Sequence, residues 1–251
     1  MTSVAFLGTS NSIPDTNHDY SHLVIKGSES TVLIDCGCNP ILRLQKIGIG
    51  VEDLSAIIVT HFHPDHVSGL PLLLMNLWLM GRKNPIYIYG LDYTLDRIEA
   101  MMALFNWTDW PDLFHISLNR IANGEKEFVL KNKDFSINAS KMEHLIPSIG
   151  LRIEMVESGK TLAYSADTEP CEQMVRLAEK VDVLIHEVSG PLKGHSSAAQ
   201  AGSIARRADV KQMYLIHYPT GENQTDQLVA DASCEFKGPI HLAEDFLSIN
   251  L

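Results

Sequence analysis

The stretch Thr60-His61-Phe62-His63-Pro64-Asp65-His66 constrains this chain most, because four potential metal ligands, His61, His63, Asp65 and His66, fall within six residues. The apolar run Ala56-Ile57-Ile58-Val59 before it reads as a short buried strand, and Leu70 to Met80 after it as an apolar helix. The cluster therefore sits on the loop leaving a buried strand, where an α/β sheet displays its chemistry. Alternate residues of an extended loop share a side, so His61 and His63 can face one ion. Pro64 turns the chain, and Asp65 and His66 beyond it can face a second ion. A histidine-rich surface loop is the alternative, but no packing requirement puts three imidazoles and a carboxylate beside a hydrophobic strand.

At 251 residues the chain has room for one large domain or two small ones, and it is read as one over 1–251. Its 45% hydrophobic and 20% charged content is an ordinary globular balance. No apolar run approaches the ~20 residues of a membrane span, and the start, Met1 to Leu7, has no signal-peptide pattern, so a cytoplasmic location is expected. The four cysteines, Cys36, Cys38, Cys171 and Cys234, form no CxxC pair and are expected to be reduced and mostly buried. A net charge of −11 argues against a sequence-independent grip on nucleic acid, which needs a basic face.

Strands are expected at 4–7, at 23–25 and 31–34 around the turn Gly27 to Ser30, at 86–90, at 125–130 and 135–139 as a hairpin, and at 151–156, 161–165, 183–185 and 213–216. Helices are expected at 40–47, 70–80, 93–105, 172–180 and 198–208, the last capped by Ser196 or Ser197. His18 and His22 fall in a polar loop near the site rim. Trp107 to Trp110 is either a packed loop or a substrate wall, and Leu70 to Met80 either core or a dimer face. The strand-rich first part and alternating last part point to an α/β fold, an αββα sandwich of two sheets with helices outside.

Several apolar strands or hairpins deliver a polar residue at their ends: the His61 to His66 cluster, His144, Asp167 and His217. If these ends converge, one ion takes His61, His63 and His144, the other Asp65, His66 and His217, and Asp167 bridges. Zinc suits this donor mix, with manganese or iron as alternatives. Taken singly, His144, Asp167 and His217 are ordinary loop, cap and strand-end residues, and only the first cluster turns them into ligands. Such a pair of ions lowers the pKa of water from ~15.7 to roughly 7 and neutralises charge on a phosphoryl oxygen. Asp65 can also hold the attacking water, and His195 can protonate the leaving oxygen. Glu187 either orients His195 and raises its pKa or is structural, and Asp35 orients the metal loop from behind. His186 alternates away from Glu187 and is read as structural.

These residues resemble the metallo-β-lactamase superfamily, whose HxHxDH signature is matched by His61 to His66. The branch most similar is that of the ribonuclease Z-type phosphodiesterases. Leu7-Gly8-Thr9, Asp35-Cys36-Gly37, Ser148 to Ile153, Tyr164 to Pro170, His186-Glu187, Gly194 to Ser197 and Leu215 to Tyr218 follow it in order. The resemblance implies the αββα fold, two zinc ions, a homodimer and phosphodiester hydrolysis. It also implies that His195 assists the leaving group with Glu187 as its partner. Only 22 residues separate His144 from Asp167, where ribonuclease Z carries a long arm that grips tRNA. The substrate class is thus a phosphodiester, either RNA or a small molecule such as a cyclic nucleotide. A thioesterase or lactonase, and a non-enzymatic metal-binding module, are the other readings of the same donor set.

Overall fold

Along β1 (Ser3–Gly8) the side chains alternate between two cores, Val4 and Phe6 into one and Leu7 into the other. The same alternation runs through β2 (His22–Lys26), β3 (Thr31–Ile34) and β4 (Leu54–Ile58), where Val24, Leu33 and Ile57 take the face opposite to Ile25, Val32 and Ile58. Strands covered on both faces read as near-continuous apolar runs, which is why they were visible in the sequence. The computed structural model describes residues 2–220 and 225–251.

Helix α1 (Ile41–Lys46) lies between β3 and β4. After β4 come the single turn α2 (Pro64–Val67), α3 (Leu70–Leu79), β5 (Ile86–Leu91), α4 (Asp92–Ala103) and β6 (Ile116–Ile121). The second half runs β7 (Glu127–Lys131), β8 (Phe135–Met142), β9 (Ser148–Met155), β10 (Thr161–Tyr164), α5 (Glu172–Leu177), β11 (Val183–Glu187), α6 (Ala198–Arg207) and β12 (Gln212–Ile216). It closes with α7 (Thr225–Glu235), β13 (Ile240–Leu242) and β14 (Ser248–Asn250). Two seven-stranded mixed sheets result, ordered β14-β1-β2-β3-β4-β5-β6 and β13-β12-β11-β10-β9-β8-β7. They face each other across a shared core, with α1 to α4 outside the first sheet and α5 to α7 outside the second. This is the expected αββα sandwich. Strands β3 to β6 are parallel, as are β10 to β13, so each parallel run delivers its C-terminal ends to one rim.

Among the described elements, α2, β6, α7, β13 and β14 were not expected from the sequence. Strand β6 is an edge strand, Ile-Ser-Leu-Asn-Arg-Ile, mostly half-buried, so its apolar content is thin. Strands β13 and β14 have three residues each and exist only because a longer neighbour pairs with them. His22 corrects another expectation, because it is no rim-loop residue but opens β2, fully buried, with Nδ1 2.6 Å from the Tyr20 carbonyl. The cysteines are less sequestered than expected: Cys36 is buried, Cys38 and Cys171 are partly so, and Cys234 is exposed. Trp78 stacks on Trp110 at 5.0 Å and donates to the Pro111 carbonyl, so the Trp107 to Trp110 segment packs against α3. Helix α3 buries Leu70, Leu73, Leu74 and Leu77, while Leu72, Leu79 and the following Met80 are exposed. No described helix is long and apolar enough to cross a membrane.

Candidate metal centre

Strand β4 runs out through Val59 and Thr60 into His61, and His63 stands at the N-cap of α2 with Pro64 at its first turn. A proline at that position needs no amide donor and presets the helical φ, so the chain turns there at once. His61 and His63 stay on the extended approach, and Asp65 and His66 fall on the helical turn. From the facing sheet, His144 follows β8, Asp167 follows β10, Glu187 ends β11, His195 precedes α6 and His217 follows β12. All of these side chains meet at one rim. His61, His63, His144 and Asp167 offer ligand atoms within 4.8 Å of one another, and so do Asp65, His66 and His217. Asp167 lies between the sets: Oδ2 is 3.7 Å from His61 Nε2 and 3.2 Å from His217 Nε2, and Oδ1 is 3.5 Å from His66 Nε2.

Hydrogen bonds behind the imidazoles fix which nitrogen faces the centre. His144 Nδ1 donates to the Gly194 carbonyl at 2.6 Å, and His66 Nδ1 to Asp35 Oδ2 at 2.9 Å. Thr60 Oγ1 donates to Asp35 Oδ2 at 2.9 Å, so it accepts from His61 Nδ1 at 3.0 Å. Asp35 thus orients two histidines, one directly and one through Thr60, whose amide also bonds Asp35 Oδ1. Its role behind the loop matches the expectation; the relay through Thr60 had no sequence signal. With their Nδ1 protons engaged, His61 and His144 turn bare Nε2 lone pairs inward, at 3.1 and 3.0 Å from His63 Nδ1. His63 has at most one proton for two acceptors. Nearby, His66 Nε2 and Asp167 Oδ1 are buried without a hydrogen-bond partner. Clustered donorless nitrogens and carboxylate oxygens fit a divalent cation, which supplies the positive charge they lack.

Electrostatics follow the same division. Burial pushes the imidazoles of His61, His63 and His144 below the ordinary histidine range, so they stay neutral, as metal ligands must be. Burial also works against a charged His66, but Asp167 and Asp35 outweigh it and hold the imidazolium well above that range. Asp167 is likewise opposed by burial, yet His217 and His66 hold its carboxyl well below the usual carboxylate range. The carboxylate charge that acts on His66 is what a divalent cation at this centre would balance. Strained backbone concentrates here too. Asp35, Ala166 and His217 have φ of 65°, 50° and 55°, a conformation uncommon for residues with a side chain.

His195 sits beside these sets with a partner of its own. Its Nδ1 is 3.1 Å from Glu187 Oε1, which also accepts the amides of Thr168 and Ser196, while Oε2 accepts the Ser189 amide. Burial alone would lower the His195 imidazole, but the bonded Glu187 carboxylate, aided by Asp167 and Asp65, lifts it above its ordinary value. Burial pushes the Glu187 carboxyl up, opposed by His195. His186 points away from this pair, buried, with Nδ1 bonded to the Glu187 carbonyl, and burial lowers its pKa to about 4. Ser197 caps α6 with a reciprocal bond from Gln200, while Ser196 donates to the Thr168 carbonyl instead. A cavity of about 260 Å³ opens beside Asp65, lined by Ser12, Tyr20, Gly37, Pro64 and Ser68.

The family model of the Anti-Pycsar protein Apyc1 matches residues 2–238. The chain belongs to this family. Ribonuclease Z of Methanosarcina mazei is 26% identical over 308 aligned positions, covering 100% of this chain and 98% of that protein. Ribonuclease Z of Mycobacterium bovis is 27% identical over 98% of this chain and 96% of its own length. Among solved structures, human tRNase Z, short form, superposes with a TM-score of 0.80 at 25% identity, over 99% of this chain and 98% of that one. The metallo-β-lactamase fold protein YhfI from Bacillus subtilis superposes at 0.83 with 23% identity, over 99% and 98%. The fold is therefore the metallo-β-lactamase fold, of the ribonuclease Z-like branch. Between His144 and Asp167 the chain holds the β9–β10 hairpin and no arm.

Proposed function

We propose that the chain is a dinuclear metal-dependent phosphodiesterase. His61, His63 and His144 would hold one ion and Asp65, His66 and His217 the other, with Asp167 facing both sets. Zinc suits the imidazole-carboxylate donors best, with manganese or iron as substitutes. One observation carries this reading: two adjoining ligand sets in which His61, His66 and His144 have their outer nitrogens engaged from behind and turn Nε2 inward. The ions supply Lewis acidity and a water whose pKa falls from ~15.7 toward 7.

The chain's own residues do the rest. Asp65 orients the attacking water and accepts its proton. His195, kept protonated by Glu187, donates to the leaving oxygen. Four donors converge on the Glu187 carboxylate, so the carboxylate and with it the His195 ring are held in place. A thiolate leaving group needs no such acid, so the thioesterase reading leaves this pair without a task.

The substrate is a small phosphodiester of the cyclic nucleotide kind rather than a tRNA precursor. The short hairpin in place of an arm supports this, as do the net charge of −11 and the small cavity beside Asp65. The alignment with the Methanosarcina mazei enzyme spans 308 positions against 251 residues here, so that relative carries insertions this chain lacks. The protein would work in the cytoplasm as a homodimer, using the exposed side of α3 at Leu72, Leu79 and Met80. The test is elemental analysis of the purified protein with turnover of bis(p-nitrophenyl) phosphate, cyclic nucleotides and tRNA precursors. Two metal equivalents and cyclic nucleotide turnover, abolished in His63→Ala, are expected. Metal-loaded protein inert to every phosphodiester overturns the assignment, and preference for tRNA precursors overturns the substrate class.

A further inference from the structure

Glu169 has no place in the ligand sets or in the acid pair, yet its side chain holds Gly194, the residue that bonds one and precedes the other. Its Oε1 accepts the Gly194 amide at 2.8 Å. The carbonyl of the same Gly194 accepts from His144 Nδ1 at 2.6 Å, and the next residue is His195. Gly194 has φ +86°, and a Cβ there would lie 2.9 Å from His144 Nδ1, so no residue with a side chain takes this position without displacing the ring. A glycine that is obligatory for close approach is also conformationally loose, and something must hold it.

The neighbourhood ties the same segments together from the other side. The Glu169 amide donates to the Glu143 carbonyl at 2.7 Å, and Thr168 Oγ1 accepts from the Glu143 amide at 3.3 Å. The residue before His144 is therefore bound to the residues after Asp167. Ser196 Oγ donates to the Thr168 carbonyl at 2.8 Å, binding the residue after His195 to the same stretch. Within this clasp the Glu169 carboxylate is the one side chain that holds the Gly194 amide.

We infer that Glu169 is a positioning residue: by anchoring the Gly194 amide it fixes the backbone on which the Gly194 carbonyl meets the His144 ring and from which His195 follows. The inference rests on the reading of His144 as a ligand and His195 as the acid. Removal of an outer partner of a ligand histidine typically costs about 10–100-fold in metal affinity or activity. Loss of His195 placement shows instead as sensitivity to the leaving group, because p-nitrophenolate departs with little help and an alkoxide does not.

The experiment compares wild type, Glu169→Ala and Glu169→Gln by zinc titration against a chromophoric chelator and by kcat and KM on p-nitrophenyl and alkyl phosphodiesters. Glu169→Ala leaves the Gly194 carbonyl, the direct partner of His144, in place, and is expected to weaken zinc binding at the lower end of that range, about 10-fold. It should lower kcat more on the alkyl ester than on the p-nitrophenyl ester, with KM unchanged. Glu169→Gln keeps an oxygen acceptor for the Gly194 amide and should restore both readouts. Wild-type zinc affinity in Glu169→Ala, an equal loss on the two esters, or a Glu169→Gln as damaged as Glu169→Ala overturns the assignment. Should Glu169→Ala fail to fold, Glu169→Asp, one methylene too short to reach, takes its place in the same measurements. If wild type itself takes up no zinc, the dinuclear reading fails. Glu169 is then judged by the ring-nitrogen NMR shifts of His144, which must move in Glu169→Ala and return in Glu169→Gln.

Discussion

The two sheets build their halves of the centre by different means. The first sheet contributes one loop, in which His61, His63, Asp65 and His66 are set by a strand end, an N-cap and a proline within a few residues. The second contributes one residue per strand end: His144 after β8, Asp167 after β10, Glu187 on β11 and His217 after β12. Their relative placement depends on strand register, Tyr164 beside Ile185 and Glu187 beside Ile216. Local geometry makes the first half a rigid cassette. Long-range pairing makes the second half the adjustable side, and the side that reaches both ligand sets and carries the proposed acid, His195. Catalytic tuning should therefore be more sensitive to the second sheet, while the first sets whether metal is held.

That contrast breaks most visibly at Asp167. Asp167→Ala removes the carboxylate that faces both ligand sets, and it should lower kcat/KM by several kcal/mol of transition-state stabilisation, on the order of 10³-fold or more. Asp65→Ala removes a ligand from one set and should leave more activity. If Asp65→Ala is the more damaging on both metal content and turnover, the first sheet dominates after all. Next in size is His195→Ala, expected to cost roughly 10²–10⁴-fold on alkyl phosphodiesters with both metal equivalents retained. A proportionate loss of metal would place His195 among the ligands, beside Asp167 and His217, whose donor atoms it also neighbours. Asp35→Asn comes third. The amide turns a donor toward His66 Nδ1 or Thr60, so zinc affinity should fall about 10–100-fold, measured by competition with a chelator, with the leaving-group dependence of kcat unchanged.

The same division explains what could be read in the sequence. The His61 to His66 cassette was legible because its geometry is local, and the strands around it because burial on both faces leaves unbroken apolar runs. His144, Asp167 and His217 carried no signal of their own; each became a candidate ligand only by standing at the end of an apolar strand or hairpin, as the cassette does. The fold class followed from those runs, while β6, β13 and β14 did not, being half-buried or three-residue edges held by a neighbour's register. Helix α7 packs on α6, where the Ala232 carbonyl leaves no room for a Cβ on Gly202, and this contact has no periodic signature. The backing bonds were half legible. Asp35 stood at a strand end and invited the role, but Thr60 and Glu169 act through a single oxygen each, which no pattern marks.

The smallest expected effect is also the sharpest test of the second sheet's role. In Glu187→Gln the carboxylate that lifts the His195 imidazole most is gone, and burial, which lowers it, is opposed only by Asp167 and Asp65. In the proposed mechanism His195 must be protonated to act, so activity should be lost as pH rises through its pKa. With Glu187 that loss begins above the ordinary histidine value of ~6.5; without it the alkaline limb of kcat should move to lower pH. Below that limb His195 is still protonated, so at acid pH the variant should approach wild type. Glutamine has one oxygen where the carboxylate accepts four donors on two. A buried donor left over costs about 1–3 kcal/mol, so a lowered melting temperature should accompany the shifted limb. A destabilised variant whose alkaline limb stays in place would show that Glu187 holds the loop but not the proton, and would move the tuning of the acid back to Asp167 and the first sheet's Asp65.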